Sequence, residues 1–268
     1  MYFLLLFFGV LAGVTTVLFG FGGGFVVVPV LYSVLLGSYG ADSEVGQAAM
    51  HIAVATSTCV MIFGAGLATL RHHRAGTVQW DQVRPLLGYI AIGAVPGAVA
   101  ALALSGSWVR WAFIIYLGLT ILDSLLRPGF TREAASQILP LGKPATAGAG
   151  LTIGAIAAFL GVGGSVMTVP LMRRRGASMT AATAAANPLS LPMAVVGSIS
   201  YALLAGRTAP LGAWHAGFID LRACLALVLG SWLGIQAASC WIGKIPDGIH
   251  AKTYLALLCT VLLVMLVM

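Results

Sequence analysis

Two short segments carry the residues best suited to chemistry. Gly20 to Pro29 reads GFGGGFVVVP, and Gly161 to Pro170 reads GVGGSVMTVP. Gly20, Gly22, Gly23, Val28 and Pro29 recur as Gly161, Gly163, Gly164, Val169 and Pro170, each 141 residues later. A glycine cluster inside a long apolar stretch interrupts a helix, since each glycine costs about 1 kcal/mol relative to alanine. The helix that restarts after the break presents unpaired backbone N–H groups. Those groups and the helix dipole attract an anion, and glycine lets it approach the backbone closely. Those groups are expected on residues 24–27 after the first break and on residues 165–168 after the second. Ser165 adds a hydroxyl. Pro29 and Pro170 are expected to kink or end the short arm. Close helix packing is the competing reading, because small residues serve it throughout membrane bundles.

Further polar residues lie on the helices that follow. Thr56 and Ser57 in the first half and Asn187 in the second could complete a shell around the guest, or could simply bond between helices. His51 lies about a turn and a half before Ser57 and could carry a coupling proton, because histidine titrates near neutrality. Asp123 could pair with Arg127, and Asp220 and Arg222 read as interfacial. Cys59, Cys224, Cys240 and Cys259 show no CxxC pair and no metal-ligand spacing, so they read as small buried hydrophobes. No Walker lysine, HExxH or nucleophile-elbow pattern occurs. No catalytic residue, metal site or cofactor is expected.

These residues need elements to hold them, and composition says what kind. Of 268 residues, 60% are hydrophobic and 8% are charged. A soluble domain carries about 25% charged residues, so a water-facing surface cannot be built from this chain. The apolar runs are about twice the length of a barrel strand and do not alternate. The fold class is therefore all-α and polytopic, a membrane protein with lipid as its surroundings. No basic face suited to nucleic acid is present.

The repeat sets the organisation. Residues 1–127 form the first half, 128–143 a polar linker and 144–268 the second half. Each half reads as a broken-helix hairpin plus three transmembrane helices. The runs fall at 1–19, 25–37, 47–70, 84–104 and 108–126, then 144–160, 166–172, 178–205, 218–242 and 250–268. The charge distribution chooses the topology. If each break turns the chain back to the side it came from, 11 of the 14 Lys and Arg residues share one side, leaving Arg110, Arg207 and Arg222 on the other. The positive-inside rule makes the richer side cytoplasmic. Both termini are then outside, and the odd number of crossings per half inverts the halves relative to each other, the architecture of many secondary transporters. Trp80, Trp108, Trp111, Trp214 and Trp241 flank the runs as an aromatic belt.

The GFGGGFVVVPVL segment, its GVGGSVMTVPLM partner and the HIAVATST stretch resemble the TauE/SafE sulfite exporter family, also called the toluenesulfonate uptake permease family. The resemblance covers nearly the whole chain. It implies a secondary transporter of the bacterial inner membrane, moving sulfite, thiosulfate, sulfonates or related organosulfur anions. Proton-driven export is implied, with an anion channel or uniporter as the alternative. It places binding at Gly22–Phe25, Gly163–Val166, Thr56–Ser57 and the Asn187 region. The second half departs from the pattern, with Ser165 for a third glycine and Asn187-Pro188 for Ser-Thr, so unequal half-sites are expected. A homodimer is compatible with these features.

Overall fold

The computed structural model describes residues 2–126, 141–204 and 214–267. The polar linker up to residue 140, with Arg127 and Arg132, and Arg207 lie outside the described residues. The first half contains α1 (Tyr2–Phe19), α2 (Gly24–Tyr39), a one-turn α3 (Glu44–Gln47), α4 (Ala49–Arg74), α5 (Trp80–Ala103) and α6 (Gly106–Leu126). The second contains α7 (Lys143–Leu160), α8 (Ser165–Arg174), α9 (Met179–Leu204), α10 (Leu221–Ala238) and α11 (Asp247–Val267). A small hairpin of β1 (His215–Ala216) and β2 (Ile219–Asp220) precedes α10. Among the described residues, eight helices are long and apolar enough to cross a membrane: α1, α4, α5, α6, α7, α9, α10 and α11.

Apolar runs become helices because lipid offers no hydrogen bonds, so the backbone must satisfy itself. Local chemistry then sets the ends. Pro144 stands in the first turn of α7, where its missing N–H costs nothing. Gly161 closes α7 in the left-handed conformation, at φ 65°. Asp220 caps α10, its Oδ1 accepting from the N–H groups of Arg222 (2.9 Å) and Ala223 (3.0 Å). Two expectations are corrected here. Pro29 and Pro170 end neither short arm: each is the sixth residue of a helix that continues past it, one lost hydrogen bond being tolerable where neighbouring helices support the segment. And α4 does not stop near residue 70; it carries Arg71, His72, His73 and Arg74 within its last turn.

Packing depends on small residues. A side-chain carbon added at Gly93 or Gly97 of α5 would lie 2.2 or 2.1 Å from the carbonyl oxygen of Leu151 or Ala155 on α7, and one at Gly154 would lie 2.1 Å from Ile90 O. The same relation joins α1 to α10: Gly13 against Ser231 O at 2.2 Å and Gly234 against Val10 O at 2.1 Å. Adding 141 converts Gly93·Leu151 into Gly234·Val10, and Gly13·Ser231 into Gly154·Ile90, with the halves exchanged. Each half thus lends its first helix to the other half's fourth long segment. Helices α4 and α9 also pack directly on each other. Large apolar side chains such as Ile92, Ile115, Leu119, Leu225 and Leu263 face outward, as a lipid-facing surface requires.

The helix ends gather into two sets. At one end Arg173 (4% exposed) pairs with Asp247 at 2.6 Å, Arg174 with Asp123, Arg175 with Gln82 and Arg71 with Gln236. At the other, Arg222 lies 4.3 Å from the Trp214 ring, Arg110 reaches Met265 O, and His51 meets Ala101 and Leu104. Asp123 meets Arg174 of α8, while its expected partner Arg127 lies outside the described residues, and Asp220 is buried as a helix cap rather than interfacial.

The glycine contacts generate a direct test. Gly93→Ala forces two backbones apart and should lower the melting temperature in detergent, by an overpacking cost of about 1–3 kcal/mol. Gly118→Ala on α6, where nothing lies within 4 Å of the added carbon, should leave it unchanged.

Candidate functional site

The two glycine breaks occupy residues 20–23 and 161–164, between α1 and α2 and between α7 and α8. Every residue from Phe19 to Phe25 and from Leu160 to Val166 is buried. The breaks touch at the level of the backbone. A carbon added at Gly22 would lie 3.6 Å from the Cα of Gly163, and one at Gly24 only 2.3 Å from the carbonyl oxygen of Gly161. Gly22 (φ 66°) and Gly23 (φ 92°) hold backbone angles that other residues rarely adopt. Glycine is thus required twice over, for the turn and for the approach.

Each break also leans on the long helix of the opposite half. Gly161 lies against Val54 and Ser57 of α4; Gly20 lies against Thr183 and Ala186 of α9. Ser57 Oγ sits 2.8 Å from Gly161 O and 2.9 Å from Val54 O, sharing one proton between two carbonyls. Thr56 Oγ1 accepts the N–H of Asp220 at 3.0 Å. The paired hydroxyls at the centre of α4 thus tie the second break and the β2–α10 corner to the first half.

The helices that restart after the breaks have no side-chain cap at Gly23 or Gly164. The first turn of each has backbone N–H groups without an intrahelical acceptor. The described acidic residues, Asp42, Glu44, Asp81, Asp123, Asp220 and Asp247, lie at helix ends or in loops. Around the junction stand Ser165, whose Oγ lies 3.5 Å from Gly163 O, and Thr168, whose buried hydroxyl has no partner. Asn187 is fully buried; its amide nitrogen donates to Thr183 O at 3.3 Å, while its Oδ1 has no partner. That oxygen offers an acceptor, which suits a guest bearing a proton of its own.

Of the eleven residues expected to bind, Gly22, Gly24 and Gly163 meet where the breaks touch and Ser57 bonds to Gly161 beside them, whereas Thr56 meets the β2–α10 corner. His51 is not among them: its Nε2 meets Ala101 O (3.1 Å) and Leu104 O (3.0 Å), and its ring stacks on Phe218 at 5.4 Å, so it caps the end of α5. Three residues escape the sequence reading. Met61 wedges between the breaks, within 3.3 Å of carbons added at Gly22, Gly24 and Gly163. Ser190 Oγ lies 2.7 Å from a carbon added at Gly163. Phe21 stacks on Phe25 (4.3 Å) and on Tyr254 (4.9 Å) as an aromatic wall. Helical spacing held the signal for two of them, since Met61 is four residues after Ser57 and Ser190 three after Asn187.

Residues 5–266 match the family model described as sulfite exporter TauE/SafE. The chain belongs to the TauE/SafE sulfite exporter family. A protein of Haemophilus influenzae named "Probable membrane transporter protein" is 25% identical over 247 residues, which cover 89% of this chain and 88% of that protein. Two proteins named "Probable membrane transporter protein MamO", from Magnetospirillum gryphiswaldense and Paramagnetospirillum magneticum, are 29% and 27% identical over 75% and 78% of this chain. The chain spans 36% and 37% of their lengths. As a member of the TauE/SafE family, the protein is a multi-pass membrane transporter.

Two substitutions on α2 test the junction. Gly24→Ala should abolish transport, because its methyl would occupy the position of the Gly161 carbonyl. Gly37→Ala, with nothing within 4 Å of the added carbon, should transport like the wild type. Ser57→Ala leaves the buried Gly161 carbonyl without its hydroxyl and should cost about 1–3 kcal/mol, read as a lower melting temperature.

Proposed function

We propose that the protein is a secondary transporter for a small sulfur-containing anion: sulfite, thiosulfate, a sulfonate or a related organosulfur compound. The observation that carries this reading is the contact of two glycine breaks, each followed by a helix start without a side-chain cap. Two dipole ends and their N–H groups then serve one buried, neutral junction. An oxyanion can accept several hydrogen bonds there without a basic side chain. Neutral donors also let the guest leave, since no fixed cation holds it.

The proposal extends to topology. The two halves lie inverted in the inner membrane of a bacterium, with both termini periplasmic. The exchanged Gly93·Leu151 and Gly234·Val10 contacts support the pairing of the halves. The basic end, with Arg71, Arg173, Arg174 and Arg175, faces the cytoplasm. Transport is coupled to the proton gradient and runs as export.

The test is binding followed by flux. Sulfite, thiosulfate or a sulfonate should raise the melting temperature of the detergent-solubilised protein, whereas acetate, ammonium and potassium should not. At a concentration 100-fold above Kd the expected stabilisation is about 2.7 kcal/mol. In proteoliposomes, flux of that anion should respond to an imposed pH gradient. Flux that follows only the anion's own gradient would instead establish a channel or uniporter. Cys59, whose Sγ lies 3.6 Å from that of Cys224, should tolerate Cys59→Ala with little loss, which a thiol-based reaction would not.

A further inference from the structure

The first break has two ends, and the anion argument uses only one. Helix α1 stops just before it, so its last carbonyls lack intrahelical partners. Two buried histidines meet them. His72 Nε2 lies 2.7 Å from Val17 O, and His250 Nε2 lies 2.7 Å from Leu18 O. They are 1% and 3% exposed. A carbonyl oxygen only accepts, so each Nε2 carries a hydrogen and each Nδ1 is the titrating atom.

The two Nδ1 atoms differ. That of His250 is buried without a partner; a proton there would add an unsatisfied buried donor and a buried charge, so His250 stays neutral. That of His72 lies 2.8 Å from Thr77 Oγ1. The same hydroxyl lies 3.1 Å from His72 O, which also receives the N–H of Thr77 at 3.1 Å. When His72 is neutral, the Thr77 hydroxyl donates to Nδ1. When His72 is charged, Nδ1–H donates to Oγ1, and the hydroxyl turns to donate to His72 O. One rotation of one hydroxyl keeps every group paired in both states. Thr77 is half-buried in the turn between α4 and α5, which gives the proton a route to water.

We infer that His72 carries the coupled proton, with Thr77 as the rotor that makes both charge states stable. The inference rests on the proton-coupled reading above and names its residue, in place of His51. A cation is favoured at the C-terminal end of α1 and an anion at the N-terminal end of α2, and these two ends flank residues 20–23. Loading the proton therefore changes the charge on one side of the turn whose other side holds the guest.

The surroundings leave His72 free to act. From another element, His250 on α11 faces it, and behind His250 stand Asp247 and Arg173, paired at 2.6 Å. On its own helix, Arg71 bonds Gln236, His73 Nδ1 accepts the Trp80 indole N–H at 3.2 Å, and Arg74 is exposed. The second half supplies an internal comparison. Ala158, 141 residues after Val17, has its carbonyl capped by the Tyr201 hydroxyl at 2.7 Å. The same structural task is done there by a phenol, which keeps its proton across the working pH range. Of the matched carbonyls Val17 and Ala158, the one in the first half has the cap that titrates near neutrality.

The test is flux of the stabilising anion in proteoliposomes, with and without a pH gradient. His72→Gln keeps a donor for Val17 O and removes the titration. It should still transport, with the gradient's stimulation lost. Tyr201→Phe removes the matching cap and should lower the melting temperature while keeping the stimulation. Thr77→Val should flatten the pH profile and Thr77→Ser restore it; this pair decides the matter if His72→Gln does not fold. A folded His72→Gln protein with wild-type stimulation, or an unchanged Thr77→Val profile, overturns the assignment. A wild type that transports without responding to the gradient overturns proton coupling and this assignment with it, and leaves the anion reading standing.

Discussion

Two stretches of glycine backbone pressed together inside a bundle of membrane-crossing helices set the terms for the rest of this molecule. Irregular backbone at membrane depth survives only when protein covers it. Here each break is covered by the other and by the long helix of the opposite half: Gly22 by Gly163 and Met61, Gly161 by Val54 and Ser57, Gly20 by Thr183 and Ala186. The requirement fixes residue types tightly. Any side chain at Gly24 would collide with Gly161 O, and any at Gly163 with Ser190. It also forces α4 and α9 to the centre, because they supply the covering surfaces. The remaining helices then form a jacket whose outer face is apolar.

The same contact explains why the polar groups beside the breaks are backbone amides and small side chains. A Lys or Arg side chain would need space that the touching breaks do not leave, and desolvating its charge there would be costly. Helix ends provide fractional charge without side-chain volume. Most of the described basic residues stand instead at one end of the bundle, where Arg173 and Asp247 pair and Asp247 Oδ1 also accepts the N–H of Met179 at 2.6 Å. That acidic side chain pins the end of α8 to the start of α9, so the short arm is anchored at its far end while its near end stays uncapped.

Much of this was legible in the residues. Breaks at 20–24 and 161–165 followed from glycine's cost in a helix, and the observed gaps differ by one residue. Segment existence followed from apolar length. Ser57 could be picked out as important, but its partner could not, because Gly161 O is 104 residues away. Met61 could be found only through its spacing from Ser57, because an apolar residue in an apolar helix carries no signal of its own. His72 was read with the basic loop after residue 70, since nothing in the sequence says that α4 continues to Arg74. Pro29 and Pro170 misled for a related reason: the rule for isolated helices omits the neighbours that support a proline-containing turn. Asp220 read as interfacial because its cap bonds, to Arg222 and Ala223, form only once β2 turns into α10.

The exchanged pairing of α1 with α10 and of α5 with α7 has a consequence for how the protein is made. Helix α1 leaves the ribosome well before α10, since 221 residues separate its Gly9 from Gly230 on α10, which packs against it. Throughout synthesis the glycine face of α1 lies against lipid or a chaperoning insertase. Assembly can finish only once α10 has been made, so a nascent chain truncated before α10 is an orphan for quality control rather than half a transporter.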